Sequence, residues 1–346
     1  MALLTTYQPI PISEQQMCLA YRWLCQQRLH FPPNADIWSF RFNWHTIKPK
    51  LLQQVRSGHY VFSPLACIKK ANGSIIHCWC ARDALVLKLL TYVLGNELSL
   101  SPLCKHIKGH GGLKQCVADM QHHLSQYRFV CKTDVKHFYE SIDHSVLINL
   151  LYDQVDNIHL RRYLYQAIHR TVESGGHYRE IKKGIARGCP ISPILGALYL
   201  NQLDEAFARQ GVYYTRYMDD ILILSKTRWH NRQAVRQMNQ IFKQLKVEQH
   251  PDKTFIGYIA KGFDFLGYHF SEKRLQLAPI TIKKHVKRFN QLYEQQTMKK
   301  ATSNEMALVL GYYVKRWQCW CTAGLGNIKL ETYDGSQESL ATLERT

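Results

Sequence analysis

Three aspartates stand where an acid is least expected. Asp219 and Asp220 interrupt the apolar stretch "YTRYMDDILIL", residues 214–224, and Asp134 lies in "RFVCKTDVKHFY", residues 128–139. Neighbouring like charges repel, and β-branched flanks favour a strand, a setting in which acids are rare. An acid at the end of one strand and a pair at a hairpin turn can converge on adjacent strands of one sheet. Three converging carboxylates suit divalent cations, because Mg²⁺ prefers hard oxygen ligands, commonly carboxylates together with substrate phosphates. Two such ions roughly 3.5–4 Å apart lower the pKa of an attacking hydroxyl and stabilise a departing pyrophosphate. The apolar flanks then form the rigid strands that hold the ligands still.

The elements that must position these acids follow from periodicity and turn chemistry. Residues 13–30 predict a helix with Ser13 as its cap and Met17, Leu24 and Leu29 on one side. "IKKANGSIIHCW", residues 68–79, predicts two strands joined at Asn72-Gly73. A helix is expected over 81–100, and "KGHGGLKQCV", residues 108–117, is a glycine-rich turn leading into another. After the strand that carries Asp134, helices are expected over 144–155 and 158–172. "RGCPISPILGALYLNQLDEAF", from Arg187, reads as a tight turn and a helix with Leu195, Leu198, Leu203 and Phe207 inward. Strands at 212–217 and 221–225 flank the paired acids, and a helix at 231–247 turns Val235, Met238, Phe242 and Leu245 to one face. Short strands over 263–280 precede a basic helical region over 281–325.

Composition narrows the partner. The 346 residues carry 45 Lys and Arg against 26 Asp and Glu, a formal charge of +19 that calls for a polyanion. With 46% hydrophobic and 12% aromatic residues the chain can bury a core. The cations are spread along the sequence, so a folded surface is the expected partner face rather than an arm. The apolar segment Ala84–Leu94 is broken by Lys88 and too short for a bilayer. No secretory pattern opens the chain, so the cytoplasm is the expected compartment, with nucleic acid rather than membrane as partner. The 11 cysteines sit mostly in apolar segments and read as reduced thiols; neither Cys-Trp-Cys peptide has zinc-ligand spacing.

Five segments together resemble the motifs of bacterial reverse transcriptases of the group II intron, retron and diversity-generating kind. They are "TDVKHFYESIDH" from Thr133, "RGCPISPILGALYLNQLD" from Arg187, "YMDD" at Tyr217–Asp220, "HPDKT" from His250 and "FDFLGYHF" from Phe263. The resemblance runs over roughly residues 50–325. It implies an α+β right-hand polymerase with fingers, an antiparallel palm sheet with helices, and a helical thumb. The divisions it implies are an N-terminal helical extension at 1–35, fingers at 36–130, palm at 131–274 with inserted helices at 144–184, thumb at 275–330 and a flexible tail at 331–346.

The same resemblance assigns roles. Asp134 and Asp219 are the implied main metal ligands, with Asp220 a weaker one and the Val135 carbonyl completing the shell around two Mg²⁺, for which Mn²⁺ can substitute. Lys253 falls where a lysine protonates the leaving pyrophosphate. Tyr139 falls on the steric gate, where a ring excludes a ribose 2′-OH. Gly188, Ser192 and Pro193 match the turn and helix start beneath nucleotide and template, and Phe265, Leu266, Gly267 and Tyr268 match the primer grip. Lys69 or Lys70 fills the fingers lysine on the triphosphate. Lys108 and Lys114, in "HIKGHGGLK", suit a cradle for the template strand. Lys283, Lys284, Lys287 and Arg316 face a duplex, and Tyr312, Tyr313, Trp317 and Trp320 read as thumb core.

Two positions depart from the family pattern. Arg187 stands where the family has Gln, and Ile76 or His77 stands where it has a triphosphate-binding arginine, leaving Arg82 as a substitute. The expected activity is RNA-directed DNA synthesis from dNTPs on an RNA template with a DNA or RNA primer. A dedicated noncoding RNA, a second protein and a role in antiphage defence are expectations of the stand-alone lineage. The competing reading is an RNA-binding, maturase-like or chaperone-like scaffold with secondary polymerase activity; an RNA-templated RNA polymerase fits Tyr139 poorly. Oligomeric state is not legible in the sequence.

Overall fold

The computed structural model describes residues 8–69, 73, 75–272, 274–323 and 325. Lys70, Asn72 and the expected tail at 331–346 lie outside the described residues.

A central antiparallel sheet carries the acids. Its strands, β3 (Phe129–Asp134), β6 (Tyr213–Tyr217), β7 (Asp220–Ser225) and β8 (Phe255–Tyr258), run in the order β6-β7-β3-β8. Alternation along β3 and β7 sets the two faces. Cys131, Ile221 and Ile223 enter one apolar core with Ala234, Met238, Ile241 and Phe242 of the helix Arg228–Gln244. Val130, Leu222 and Leu224 enter a second core with Cys116, Val117 and Met120 of the helix Gly112–Leu124. Asp134 and Asp220 share the parity of this second face.

Two smaller sheets flank the centre. One has the order β2-β1-β4-β5, from β1 (Leu65–Lys69), β2 (Ile75–Cys78), β4 (Thr171–Ser174) and β5 (His177–Glu180). The expected hairpin of β1 and β2 is therefore widened by a second hairpin, β4 running parallel to β1 through Leu65↔Val172 and Ala66↔Glu173. Helix was expected up to residue 172, but it ends at Ile168, and Gly175-Gly176, both with positive φ, turn the chain back. The third sheet, β11-β10-β9, joins β9 (Phe263–Phe265), β10 (Tyr268–Phe270) and β11 (Leu275–Leu277). Residue 275, expected to open the next division, thus lies within a strand.

The remaining helices follow the sequence closely. Ser13 caps Glu14–Gln27 through a capping box with Gln16, although Leu29 falls beyond the helix end and is exposed. The helix expected after Arg187 is two, Ser192–Tyr199 and Asn201–Ala208, with Leu195, Leu198, Leu203 and Phe207 all buried. At the C-terminal side, Pro279–Met298 and Ser303–Thr322 form a helical hairpin in which Cys321 is the one buried residue. Tyr312 was expected in a core there, but it is 66% exposed. All cysteines of the described residues are free thiols, and no described helix is long and apolar enough to cross a membrane.

Candidate active site

The β6–β7 hairpin closes through Tyr217↔Asp220, and β3 pairs with β7 so that Asp134 lies directly opposite Asp220. Met218 at the turn adopts φ +56°, a left-handed conformation that a non-glycine residue takes only under local constraint. The three acids therefore gather at one end of the central sheet. Burial, then the Asp134 carboxyl, pushes Asp219 up to about 7. Burial and the Asp134 charge push Asp220 up to about 6, against the opposing pull of Lys132 and Lys253. Burial of like charges side by side disfavours the ionised form of both carboxyls.

Lys253, in the short turn Pro251–Lys253, forms an ion pair with Asp134 Oδ2, and this bond holds its ammonium above the ordinary lysine range. The other oxygen, Asp134 Oδ1, is buried with no hydrogen-bond partner among the described residues. A buried acceptor without a donor, beside two repelling carboxyls, is a donor set that fits a divalent cation. No three acid, imidazole or thiol groups already stand at metal-ligating distance among the described residues.

The constrained turn is held from both sides by residues that sequence reading missed. Arg216 and Asp204 form an ion pair of 2.5 Å with both side chains fully buried. Arg216 Nε also donates to Asp204 Oδ1 at 2.8 Å, Tyr214 Oη to the same oxygen at 2.6 Å, and Arg216 Nη1 to the Met218 carbonyl at 2.7 Å. Burial works against the Arg216 charge, but Asp204 outweighs it and the guanidinium stays protonated. From the other side the Met218 N–H donates to His106 Nδ1 at 3.1 Å, so His106 Nε2 carries the proton and donates to the Pro193 carbonyl at 3.1 Å. Burial lowers the His106 pKa and favours this neutral form. One legible signal existed: an acid inside the apolar helix "NQLDEAF" and a cation inside the strand "YTRY" each require a buried partner.

Tyr139 lies close to the acids. Its phenol is pushed up to about 12, first by burial and next by Asp219. The ring stacks beside Phe138 and lies over Gly196, where a Cβ would stand 3.3 Å from it. Its backbone carbonyl accepts from Ile185 N at 2.8 Å. Gly184 permits this close approach, since a Cβ there would meet the Tyr139 carbonyl at 2.8 Å. Gly188 has φ +74°, and Ser192, buried, donates to the Ala186 carbonyl at 2.6 Å. Val135 is buried directly after Asp134.

The remaining expected residues are distributed more widely. Lys69 and Arg82 are exposed, and His77 is held below its ordinary pKa by burial, then by Arg170 and Arg179. The cations that act on His77 thus come from the unforeseen β4–β5 hairpin and its entry. Arg187 is exposed and pairs with Glu140 at 3.3 Å. Lys108 is exposed. Lys114, expected on the template, instead donates to Tyr268 Oη and the Trp320 carbonyl, with its ammonium 4.0 Å from the Trp320 ring centroid. Leu266 and Gly267 have φ +49° and +88°, and form the tight turn between buried Phe265 and Tyr268. Tyr268 stacks on Trp320 at 5.5 Å, so this turn is fixed to the helical hairpin.

An α+β chain with three acids at one end of an antiparallel sheet, and a tyrosine close to them, has the frame of a nucleotidyl-transfer enzyme. The model of the family described as reverse transcriptase (RNA-dependent DNA polymerase) matches residues 82–270, more than half of the chain, and this span contains every aspartate of the site. The chain belongs to that family and is an RNA-directed DNA polymerase. It is 23% identical to protein YkfC of Escherichia coli (strain K12) over 270 residues, 65% of this chain and 71% of YkfC. It is 22% identical to the group II intron-encoded protein LtrA of Lactococcus lactis subsp. cremoris over 251 residues, 63% of this chain and 40% of LtrA. A 91 kDa protein in the cob intron of Schizosaccharomyces pombe is 27% identical over 165 residues, 45% of this chain and 20% of that protein.

Proposed function

We propose that the chain extends a primer on an RNA template by metal-assisted attack of its 3′-OH on a dNTP, with the site at Asp134, Asp219 and Asp220. The observation that carries this reading is the orphaned Asp134 Oδ1 beside two carboxyls whose pKa values are raised by burial and by the Asp134 carboxylate. Asp134 and Asp219, with Asp220 and the Val135 carbonyl, would hold Mg²⁺ or Mn²⁺. When bound, such ions activate the 3′-OH and neutralise the charge that builds on the leaving pyrophosphate. The protein's own part is to hold these oxygens rigidly: the sheet register fixes Asp134 and Asp220, and the His106 and Arg216 bonds fix the turn that presents Asp219. Lys253, charged and paired with Asp134, would give a proton to the leaving pyrophosphate.

In this reading the central sheet is the palm, the sheet of β1, β2, β4 and β5 belongs to the fingers, and the helical hairpin is the thumb. Lys69, with Lys70, His77 and Arg82, would face the triphosphate; Gly188, Ser192 and Pro193 would underlie nucleotide and template, together with Arg187 and Lys108. The turn Phe265–Tyr268 would grip the primer. A noncoding RNA template, a protein partner and antiphage defence remain part of the proposal for a stand-alone enzyme.

Shrinking the gate tests the nucleotide pocket. Tyr139→Ala should raise rNTP incorporation relative to dNTP by about tenfold or more, the scale of one lost steric contact. Running both nucleotides against one primed template checks it, and an unchanged ratio would remove Tyr139 from the pocket. A separate assay tests the template: copying of primed RNA by the full chain, compared with primed DNA, reads whether RNA is the working substrate.

A further inference from the structure

The helix Arg228–Gln244 covers the face of the central sheet opposite the aspartates, and its outer side is markedly basic. Arg228, Arg232, Arg236 and Lys243 are exposed, and at 100° per residue they fall within one arc of about 80°. The helix contains no Asp or Glu. Among the described residues none of these four cations has an ion pair or hydrogen bond, in contrast to Lys114, Arg187, Arg216 and Lys253. Successive arginines are one turn apart, about 6 Å along the axis, a step comparable with that between neighbouring phosphates on a strand. Arg209 lies at the end of the adjacent helix, which Gln210 ties to Gln237 of this one. Trp229, 61% exposed, stands at the first turn beside Arg228.

We propose that this ridge is a second nucleic-acid surface, outside the catalytic cleft, that holds a single strand of RNA. Unpaired cations in line would bind phosphates, and the exposed indole offers a platform on which a base can stack. The ridge cannot touch the reacting end of the primer, because the sheet separates them. It would therefore hold RNA away from the point of synthesis, such as the single-stranded flank of a template. The inference rests on the polymerase reading only for the source of the strand.

The experiment compares the full chain with Arg232→Gln/Arg236→Gln/Lys243→Gln, all exposed positions whose change leaves the core intact. Binding of a 40-nucleotide RNA is measured over a salt series, beside extension of a short primer–template that occupies the cleft alone. The variant should lose about tenfold or more in RNA affinity, and its salt slope should fall by about two, near 0.7 for each lost phosphate contact. Short-template extension should be unchanged. Unaltered affinity and slope would overturn the proposal, and so would an equal fall in binding and short-template extension, since the surface would not be separate. Single-stranded DNA displacing the RNA more strongly than RNA itself would overturn the assignment to RNA. Repeating the binding in the Asp219→Asn background separates the two readings: a ridge effect that persists without polymerisation stands even if the catalytic assignment fails.

Discussion

Asp219→Asn should reduce primer extension to background, a loss of about 10²–10³-fold or more, the scale on which single electrostatic contributors to a transition state act. The amide keeps the shape of the side chain and the turn, and removes only the charge. The same change should stabilise the metal-free protein. With its folded-state pKa at about 7, above the ordinary 3.8, Asp219 makes the folded chain bind more protons than the unfolded one between those values. Stability from this group is therefore present at low pH and lost as pH rises toward 7. In EDTA at pH 8 the Asn variant should melt about 2 °C or more above the wild type, and the gap should narrow at pH 5 and close only below about pH 4. Added Mg²⁺ should raise the melting temperature of the wild type and leave the variant unmoved. Extension that survives in the variant would remove Asp219 from the metal assignment, and a melting gap that does not close in acid would remove charge repulsion as its cause.

The second large effect concerns the buried pair beneath the turn. Arg216→Met leaves the Asp204 carboxylate buried without its cation, and losing one partner of such a pair costs about 3–5 kcal/mol. Combining it with Asp204→Leu should recover most of that stability, because two apolar groups replace two charges. Extension should not recover. The Met218 carbonyl would still lack the Arg216 Nη1 donor, and the φ +56° turn that carries Asp219 would be held by His106 alone. Denaturant unfolding and steady-state extension, measured on the single and double variants, separate the two contributions. If the double variant regains both stability and activity, the pair serves the core and has no part in placing the acids.

Much of this site was legible from residue type and order. Asp134, Asp219 and Asp220 were read as converging because strand-formers flank each, and the register Asp134↔Asp220 realises that reading. Surrounding helices were also legible, since the cap Ser13 marks Glu14–Gln27 and apolar period marks Arg228–Gln244 within a few residues. The β4–β5 hairpin was missed because its strands are four residues long and follow a helical pattern that runs on to Ile168. Its pairing with β1 joins residues more than 100 apart, a contact that local propensity does not encode. Likewise the clamp on Met218 draws His106, Pro193, Asp204 and Arg216 from four separate segments. The buried charges of Asp204 and Arg216 call for partners, but which partners, and that they meet at Met218, follows only from the fold. Tyr312 shows the converse error: its spacing suits a core, but among the described residues the two helices meet no third surface that buries it.

That isolation has a consequence for how the molecule comes apart. The helical hairpin Pro279–Thr322 is fastened at its base, where Lys114, Tyr268 and Trp320 meet and Thr281 Oγ1 bonds the Gly267 carbonyl. With almost nothing else of it buried among the described residues, its amides should exchange with deuterium ahead of those of the central sheet, as a unit with its own opening equilibrium. If the hairpin is the thumb of the proposed function, warming would cost the enzyme its hold on a long product before it cost the chemistry of a single addition. Product length, rather than the rate of the first step, would be the earliest sign of thermal damage.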